Sequence, residues 1–503
     1  MELIRKQSLL SSIIQITGAV VGALSTIFIY PNDLKLYGLY GFLTNTASLM
    51  VPFISLGFGT VLLRYYPHFK DTKENASRFF AFIFSAYTLG IGIFIGVFLL
   101  FFPWIQKILG SNDAYVRPFV IFILPIGILY VIFDLFSTIF INFQRLVWPA
   151  MLVFLMKLFL PFLFILSFKN YLNGIQFALL ICLYYVFAIG FLYVNLSKAV
   201  HFKIPFNRLE FQIPQKNSII RFALFSVLGG ASAILALRID SILVTSFIGA
   251  QANGLFTLAV FISNVAFIPA SALTDGLNSL VAACSKEKAQ EALQTVYSKS
   301  TVNMLIPTVW IGLCIYTGFI YLSKLMPNPE EVIKIERLLA WLLLARIIDA
   351  ATGINHYVLA YSRHYMLELY LLILMALLNI AFNIWLIPIF GIEGAALATF
   401  LSVAIYNILK TVVVYWKTGM HPLTPSWYKL VLIIVICFAI VSQFYFNINP
   451  LLALFIQSIL TSVLFLGLVF ICNVSSDLNQ LIHQFYHKIM LRLFVGSEND
   501  KGN

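Results

Sequence analysis

The sequence predicts an all-α integral membrane protein of about fourteen transmembrane helices in two six-helix lobes, related by a pseudo-two-fold axis along the membrane normal, with two helices appended. Three observations predict it. Of 503 residues, 61% are hydrophobic and 10% charged, with a mean hydropathy of +0.94, which exceeds what a soluble core of this size requires. Apolar runs of about 20 residues recur from end to end, each long enough at about 1.5 Å per residue to cross about 30 Å of hydrocarbon. The runs are also apolar on every face. FAFIFSAYTLGIGIFIGVFLLFF, from Phe80 to Phe102, shows none of the alternation over about 10 residues that marks a transmembrane β-strand.

Taken in order, the chain opens with MELIRKQ and runs into an apolar stretch over 8–30 without a small-residue cleavage site, so this is expected to be a first span and not a cleaved signal peptide. A Pro31-Asn32-Asp33 turn separates it from a span over 37–63, and a basic loop follows. Spans over 78–102, 117–142, 147–168 and 174–197 complete an N-lobe over 1–200. A linker over 201–217 is the longest polar connection in the middle of the chain, and the basic loop around it carries Lys198, Lys203, Arg208, Lys216 and Arg221. A C-lobe over 218–417 then holds spans over 218–249, 253–283, 300–324, 336–362, 365–388 and 392–417. Spans over 427–447 and 450–472 fill 418–475, and 476–503 reads as a cytoplasmic tail.

A net charge of +12 would suit nucleic acid, but the basic residues sit in short loops between spans, the pattern of membrane orientation. Placing both termini in the cytoplasm puts most of the Lys and Arg on the inner side. Cys182, Cys284, Cys314, Cys437 and Cys472 are scattered, with no CxxC pair and no His cluster nearby, so neither a disulfide framework nor a metal site is expected. The outer loops are short, and no GxxxxGK[ST] loop is present. A membrane polymerase or ligase, or an ATP hydrolase, is therefore not expected, and neither is a catalytic residue.

A weak internal repeat is visible. FIYPNDLKLYGLYGF (Phe28 to Phe42) resembles FIGAQANGLFTLAV (Phe247 to Val260), with Gly38-Leu39-Tyr40 matching Gly254-Leu255-Phe256. An even number of spans separates the copies, so the repeat is parallel. The stretch LNIAFNIWLIPIFGIEGAALATFLS (Leu378 to Ser402) carries a LIP-x-FG-x-x-GAA-x-AT pattern at Leu386, Ile387, Pro388, Phe390, Gly391, Gly394, Ala395, Ala396, Ala398 and Thr399. Read physically, Pro and Gly end one helix and small residues let the next approach closely.

Together these segments resemble the polysaccharide transporter family, which includes O-antigen and other lipid-linked oligosaccharide flippases, and the resemblance spans essentially the whole chain. It implies a multi-pass protein of the bacterial cytoplasmic membrane that moves a polyprenyl-diphosphate-linked oligosaccharide outward by alternating access. Membrane lipid, with glycosyltransferases or a polymerase of the same pathway, would be its partners. It implies no cofactor beyond a proton or sodium gradient. Lipid II flippases and multidrug and toxin extrusion transporters share the architecture, so a cation-coupled multidrug exporter and a lipid II-type flippase are the competing expectations.

Ionisable residues inside spans are informative because each costs about 2.5 to 3.5 kcal/mol unless paired or watered. Asp134 and Lys157 lie at similar depth on adjacent antiparallel helices and are expected to pair, either as a fixed bridge or as one that cargo or a cation breaks. In LALRIDSILV, Arg238 and Asp240 are two apart, on different faces, so each needs a partner on another helix or a watery cavity. Arg346 and Asp349 are three apart, where either local pairing or a cavity role is open, with His356 two turns on as a polar residue near the inner interface. Asp275 is a further candidate, while Glu368 and Glu393, near span ends, read as solvated. If the cargo is a diphosphate, Arg238, Arg346 and Lys157 suit substrate binding. Asp240, Asp349, Asp134 and Asp275 are then the ion-coupling candidates.

Overall fold

In the computed structural model, residues 2–110, 112–200, 213–286 and 290–480 are described, and among them every regular element is helical. The linker expected over 201–217 lies outside the described residues as far as 212, and the tail expected over 476–503 lies outside them from 481. The chain divides into two compact units.

The first unit comprises Met1–Leu258, Met326–Ile335 and Leu372–Thr399. Its helices are α1 (Glu2–Phe28), α2 (Leu34–Ile54), α3 (Phe58–Phe69), α4 (Lys73–Leu100), α5 (Phe102–Leu109), α6 (Ile123–Asn142), α7 (Val147–Phe168), α8 (Gly174–Val200) and α9 (Lys216–Phe247). It also takes in the start of α10 (Ala250–Lys286), the short α12 (Pro329–Val332), and the adjoining ends of α15 (Tyr365–Phe390) and α16 (Ile392–Thr418). Local chemistry sets the boundaries. Asp33 caps α2 by accepting the Leu36 amide at 2.9 Å, and Thr72 caps α4 by accepting that of Asn75 at 3.2 Å. Buried Val61, Leu62, Phe79, Ile83, Val131 and Ile139 pack one core, while Leu100 is 74% exposed, as a side chain facing lipid would be.

The repeated turns meet in this unit. A Cβ built on Gly38 of α2 would lie 1.7 Å from the Ala250 carbonyl oxygen, and one on Gly254 of α10 would lie 2.0 Å from that of Leu34. Only glycine fits at either position. Asn253 Nδ2 donates to the Gly38 carbonyl at 2.7 Å across the same contact. The two glycines aligned in the sequence repeat thus pack against each other's helices.

The second unit comprises Ala259–Leu325, Glu336–Leu371 and Phe400–Asn503. It holds the rest of α10, α11 (Gln290–Leu325), α13 (Glu336–Ala351), α14 (Asn355–Ala360), the start of α15, most of α16, α17 (Pro425–Val441) and α18 (Pro450–Ile471). Its core includes buried Tyr297, Met304, Val309, Val414, Phe465 and Val469. Proline opens both α17 and α18, behind the caps Thr424 and Asn449. A polar seam joins α11 to α18, where Trp310 Nε1 donates to Ser462 Oγ at 2.8 Å.

Every expected span is helical, but the expected count of about fourteen is not reached. Among the described residues eleven helices are long and apolar enough to cross a membrane, or twelve when α2 and α3, bent by 48°, count as one broken span. The remaining two expected spans fall short for local reasons. The one over 336–362 is divided into α13, 16 residues long, and the 6-residue α14 by a turn at Gly353, and α17 is only 17 residues long.

Candidate functional site

Several of the polar side chains that the sequence places inside spans are hydrogen-bonded, around Asp240 in the first unit and around Asp349 and Glu368 in the second. In the first, Asp240 sits on α9 about two turns from the helix end. It is 4% exposed. Asn383 Nδ2 of α15 donates to its Oδ1 at 2.6 Å, and Thr399 Oγ1 of α16 donates to its Oδ2 at 3.0 Å. The same Asn383 amide is within 2.6 Å of Asn379 Oδ1 and 2.9 Å of the Asn379 carbonyl oxygen. Two amide hydrogens therefore face three oxygens, and Asn383 Oδ1 is itself buried without a hydrogen-bond partner among the described residues. Asn379 Nδ2 is likewise buried without a hydrogen-bond partner among the described residues, so this group holds an unmatched donor as well as unmatched oxygens.

The LIP-x-FG pattern builds this geometry. A Cβ on Gly394 would lie 2.2 Å from the Leu386 carbonyl oxygen, and Ala395, Ala396 and Ala398 are fully buried. The small residues let α16 fold back tightly on α15, which brings Thr399 to Asp240. Arg238, two residues away, points elsewhere, and its Nη1 donates to Asn45 Oδ1 of α2 at 3.0 Å. No carboxylate pairs with it among the described residues. Of the two alternatives expected for each, a partner on another helix or a watery cavity, the contacts supply a partner on another helix, α2 for Arg238 and α15 and α16 for Asp240.

The expected bridge between Asp134 and Lys157 does not form. Lys157 lies against α1, where a Cβ on Gly18 would meet its Cδ at 3.3 Å, whereas Asp134 turns towards Gly59 of α3 and Tyr87 of α4. Equal depth brings two side chains together only if both point into the same groove, and these point apart. Neither makes an ion pair or hydrogen bond among the described residues. Asp275 lies in α10, and its side chain is outside what the structure describes.

In the second unit Arg346 and Asp349 make the local pair that their spacing allows, at 3.3 Å on one face of α13. Asn407 Nδ2 of α16 donates to the other Asp349 oxygen at 2.7 Å, and Thr352 Oγ1 donates to Asn407 Oδ1 at 3.0 Å. Glu368 corrects the sequence reading. Far from being solvated, it is 7% exposed, with His356 Nδ1 at 2.7 Å and the Tyr406 hydroxyl donating at 2.8 Å. Lys410 of α16, which the sequence reading leaves out, is 4% exposed and lies 4.0 Å from the same carboxylate. A signal for it was present, because NILKTVVVYW places a lone lysine two turns inside an apolar helix. The asparagines of LNIAFNIW, at 379 and 383, gave a similar signal.

No protein-family model and no curated protein matches the sequence. Solved structures do match. A lipid II flippase, MurJ, in an inward closed conformation superposes with a TM-score of 0.68 over 94% of this chain and 98% of its own, at 13% identity. An inward-facing multidrug resistance MATE family transporter of the MOP superfamily gives 0.62 over 80% and 94%, at 15% identity. A MOP superfamily transporter from Pyrococcus furiosus gives 0.51 over 83% and 95%, at 12% identity. From end to end, then, this all-α membrane chain has the fold of the MOP superfamily transporters.

Proposed function

We propose that the chain is a flippase that carries a polyprenyl-diphosphate-linked oligosaccharide from the inner to the outer leaflet of the bacterial cytoplasmic membrane for cell-surface polysaccharide assembly, driven by a cation gradient. The observation that carries this reading is Arg238, a guanidinium inside an apolar span whose hydrogen-bonded side-chain partner is a neutral amide, Asn45. A cation placed there without a carboxylate is costly unless an anionic ligand or water completes it. A diphosphate offers guanidinium the bidentate contact it favours. Lys157, also free of a carboxylate, is the second head-group candidate, and Arg346, already engaged by Asp349, is the third. Asp240, a buried carboxylate inside an apolar span, is the leading ion-coupling candidate, ahead of Asp349, Asp134 and Asp275. The transporter fold supports movement of a ligand over its chemical conversion, and the likeness to a lipid II flippase favours a lipid-linked cargo.

The test is reconstitution into liposomes with a fluorescent polyprenyl-diphosphate sugar, following head-group protection from an impermeant quencher. The unmodified chain should accelerate translocation over protein-free liposomes. Arg238→Ala should slow it by about 10- to 100-fold, the worth of one hydrogen bond to a charged group at about 1.5 to 3 kcal/mol. No acceleration with any diphosphate lipid would transfer the chain to the cation-coupled drug-exporter reading.

A further inference from the structure

His356, Glu368 and Lys410 stand apart from the groups assigned above to cargo and driving ion, and all three lie in the second unit. Glu368 Oε1 is engaged from two sides, by His356 Nδ1 at 2.7 Å and by the Tyr406 hydroxyl at 2.8 Å. Its Oε2 is buried and has no hydrogen-bond partner among the described residues. Lys410 is equally incomplete. Its Nζ sits 4.0 Å from the centroid of the Tyr406 ring and 4.0 Å from Glu368 Oε1, beyond hydrogen-bond distance. A buried lysine that makes no hydrogen bond among the described residues and a buried carboxylate oxygen that makes none thus sit on neighbouring helices, with 4.0 Å between the ammonium and the other oxygen of that carboxylate. Leaving both unmade is costly, so something holds the carboxylate where it is. The group in place to do so is His356, whose side chain is 53% exposed in the first turn of the short α14, while Glu368 and Lys410 are buried.

The other charged and titratable groups around this triad are few. On α13, Asp349 is paired with Arg346 and lies within electrostatic reach of Lys410 and Tyr406. On α11, Tyr297 approaches Thr411, next to Lys410. In the turn between α14 and α15, Arg363 Nε lies 3.1 Å from His364 Nε2. With a neutral imidazole, Arg346 and Lys410 balance Asp349 and Glu368. A proton on His356 changes which cation owns Glu368.

We propose that His356 and Glu368 form a proton-binding site in which protonated His356 on α14 and Lys410 on α16 compete for one carboxylate on α15. When His356 takes a proton from water, its contact with Oε1 becomes a charge-assisted hydrogen bond and Glu368 stays with α14. When the proton returns to water, Lys410 is the remaining full cation and closes its gap to Glu368, so proton binding is tied to the spacing of α14 and α16. Imidazole is the side chain whose ordinary titration falls between about pH 5 and 8. The site does not depend on the identity of the cargo.

The experiment is solid-state NMR of the full chain, labelled with 15N-histidine and held in lipid bilayers without substrate, titrated from about pH 5 to 8, with His356→Gln identifying the His356 resonance among the seven histidines. Glu368→Gln should weaken proton binding at His356 by about tenfold or more, and Lys410→Met, by removing the competitor, should strengthen it by a similar factor. If Lys410→Met does not fold, Glu368→Gln decides alone, since it keeps the shape of the side chain and removes only its charge. Proton affinity within about twofold of the unmodified chain in Glu368→Gln, or no His356 titration in that range, overturns the proposal. Because no cargo is present, neither result bears on the flippase reading.

Discussion

Asp240 is a buried carboxylate that accepts hydrogen bonds from Asn383 and Thr399, with no cationic side chain in either contact. Replacing it with Asn keeps its shape and removes its charge. Melting of the purified chain in NaCl against choline chloride should show stabilisation by sodium that Asp240→Asn abolishes. A sodium effect unchanged in that variant would remove Asp240 from the coupling role, and no effect in either would leave the proton as the driving ion. Asn45 is the complementary case, since it positions Arg238 without neutralising it. Asn45→Ala should slow head-group translocation less than Arg238→Ala does in the same liposome assay, and an equal loss would make the amide itself a cargo contact.

Helices in this chain are joined by close backbone approach and by short polar ties at their ends. The Gly38 and Gly254 contact belongs to the first kind. Gly254→Leu should force α2 and α10 apart at that point, lowering the melting temperature or shifting the population of states seen by site-directed spin labelling, and an unchanged protein would show that the two backbones separate freely. The segment after α18 belongs to the second kind. Asn303 Nδ2 donates to Asp477 Oδ2 at 3.0 Å, Lys299 lies 3.4 Å from the other oxygen, and Ser475 donates to Asn303 Oδ1 at 2.9 Å. The Asn303 hydrogen bond first, and Lys299 with it, holds the Asp477 carboxyl below its ordinary range. A carboxyl depressed on folding contributes stability above its unfolded value of about 3.9 and loses it as pH falls through the folded value. Hydrogen exchange across 475–479 should therefore rise on acidification below about pH 4 in the unmodified chain and be insensitive to pH there in Asp477→Asn.

For the whole molecule the testable statement is orientation. The distribution of Lys and Arg favours both termini in the cytoplasm. In a background lacking the five native cysteines, Asp71→Cys, between α3 and α4, should react with an impermeant thiol reagent only in inverted vesicles, and Tyr171→Cys, between α7 and α8, only in intact cells. The reverse pattern would invert the transport direction proposed above.

Composition and periodicity determined the all-α membrane architecture and the place of most of its long helices, because a segment that must cross hydrocarbon announces itself by length and apolarity alone. Gly38 and Gly254 were legible as equivalent positions of a repeated turn, but their packing against each other's helices was not. Local spacing allowed the pair of Arg346 and Asp349, three residues apart on one helix, and the structure makes it. Only the tertiary structure decided which charges meet across helices. Asp134 and Lys157 share a depth but face different neighbours, and Glu368, near a helix end, is buried because α14 and α16 close over it with His356, Tyr406 and Lys410. Depth in the membrane is written along the chain. The direction a side chain takes around its helix acquires meaning only when the neighbouring helices are in place, and that decides whether an intramembrane charge is spent on a bridge or left for a ligand.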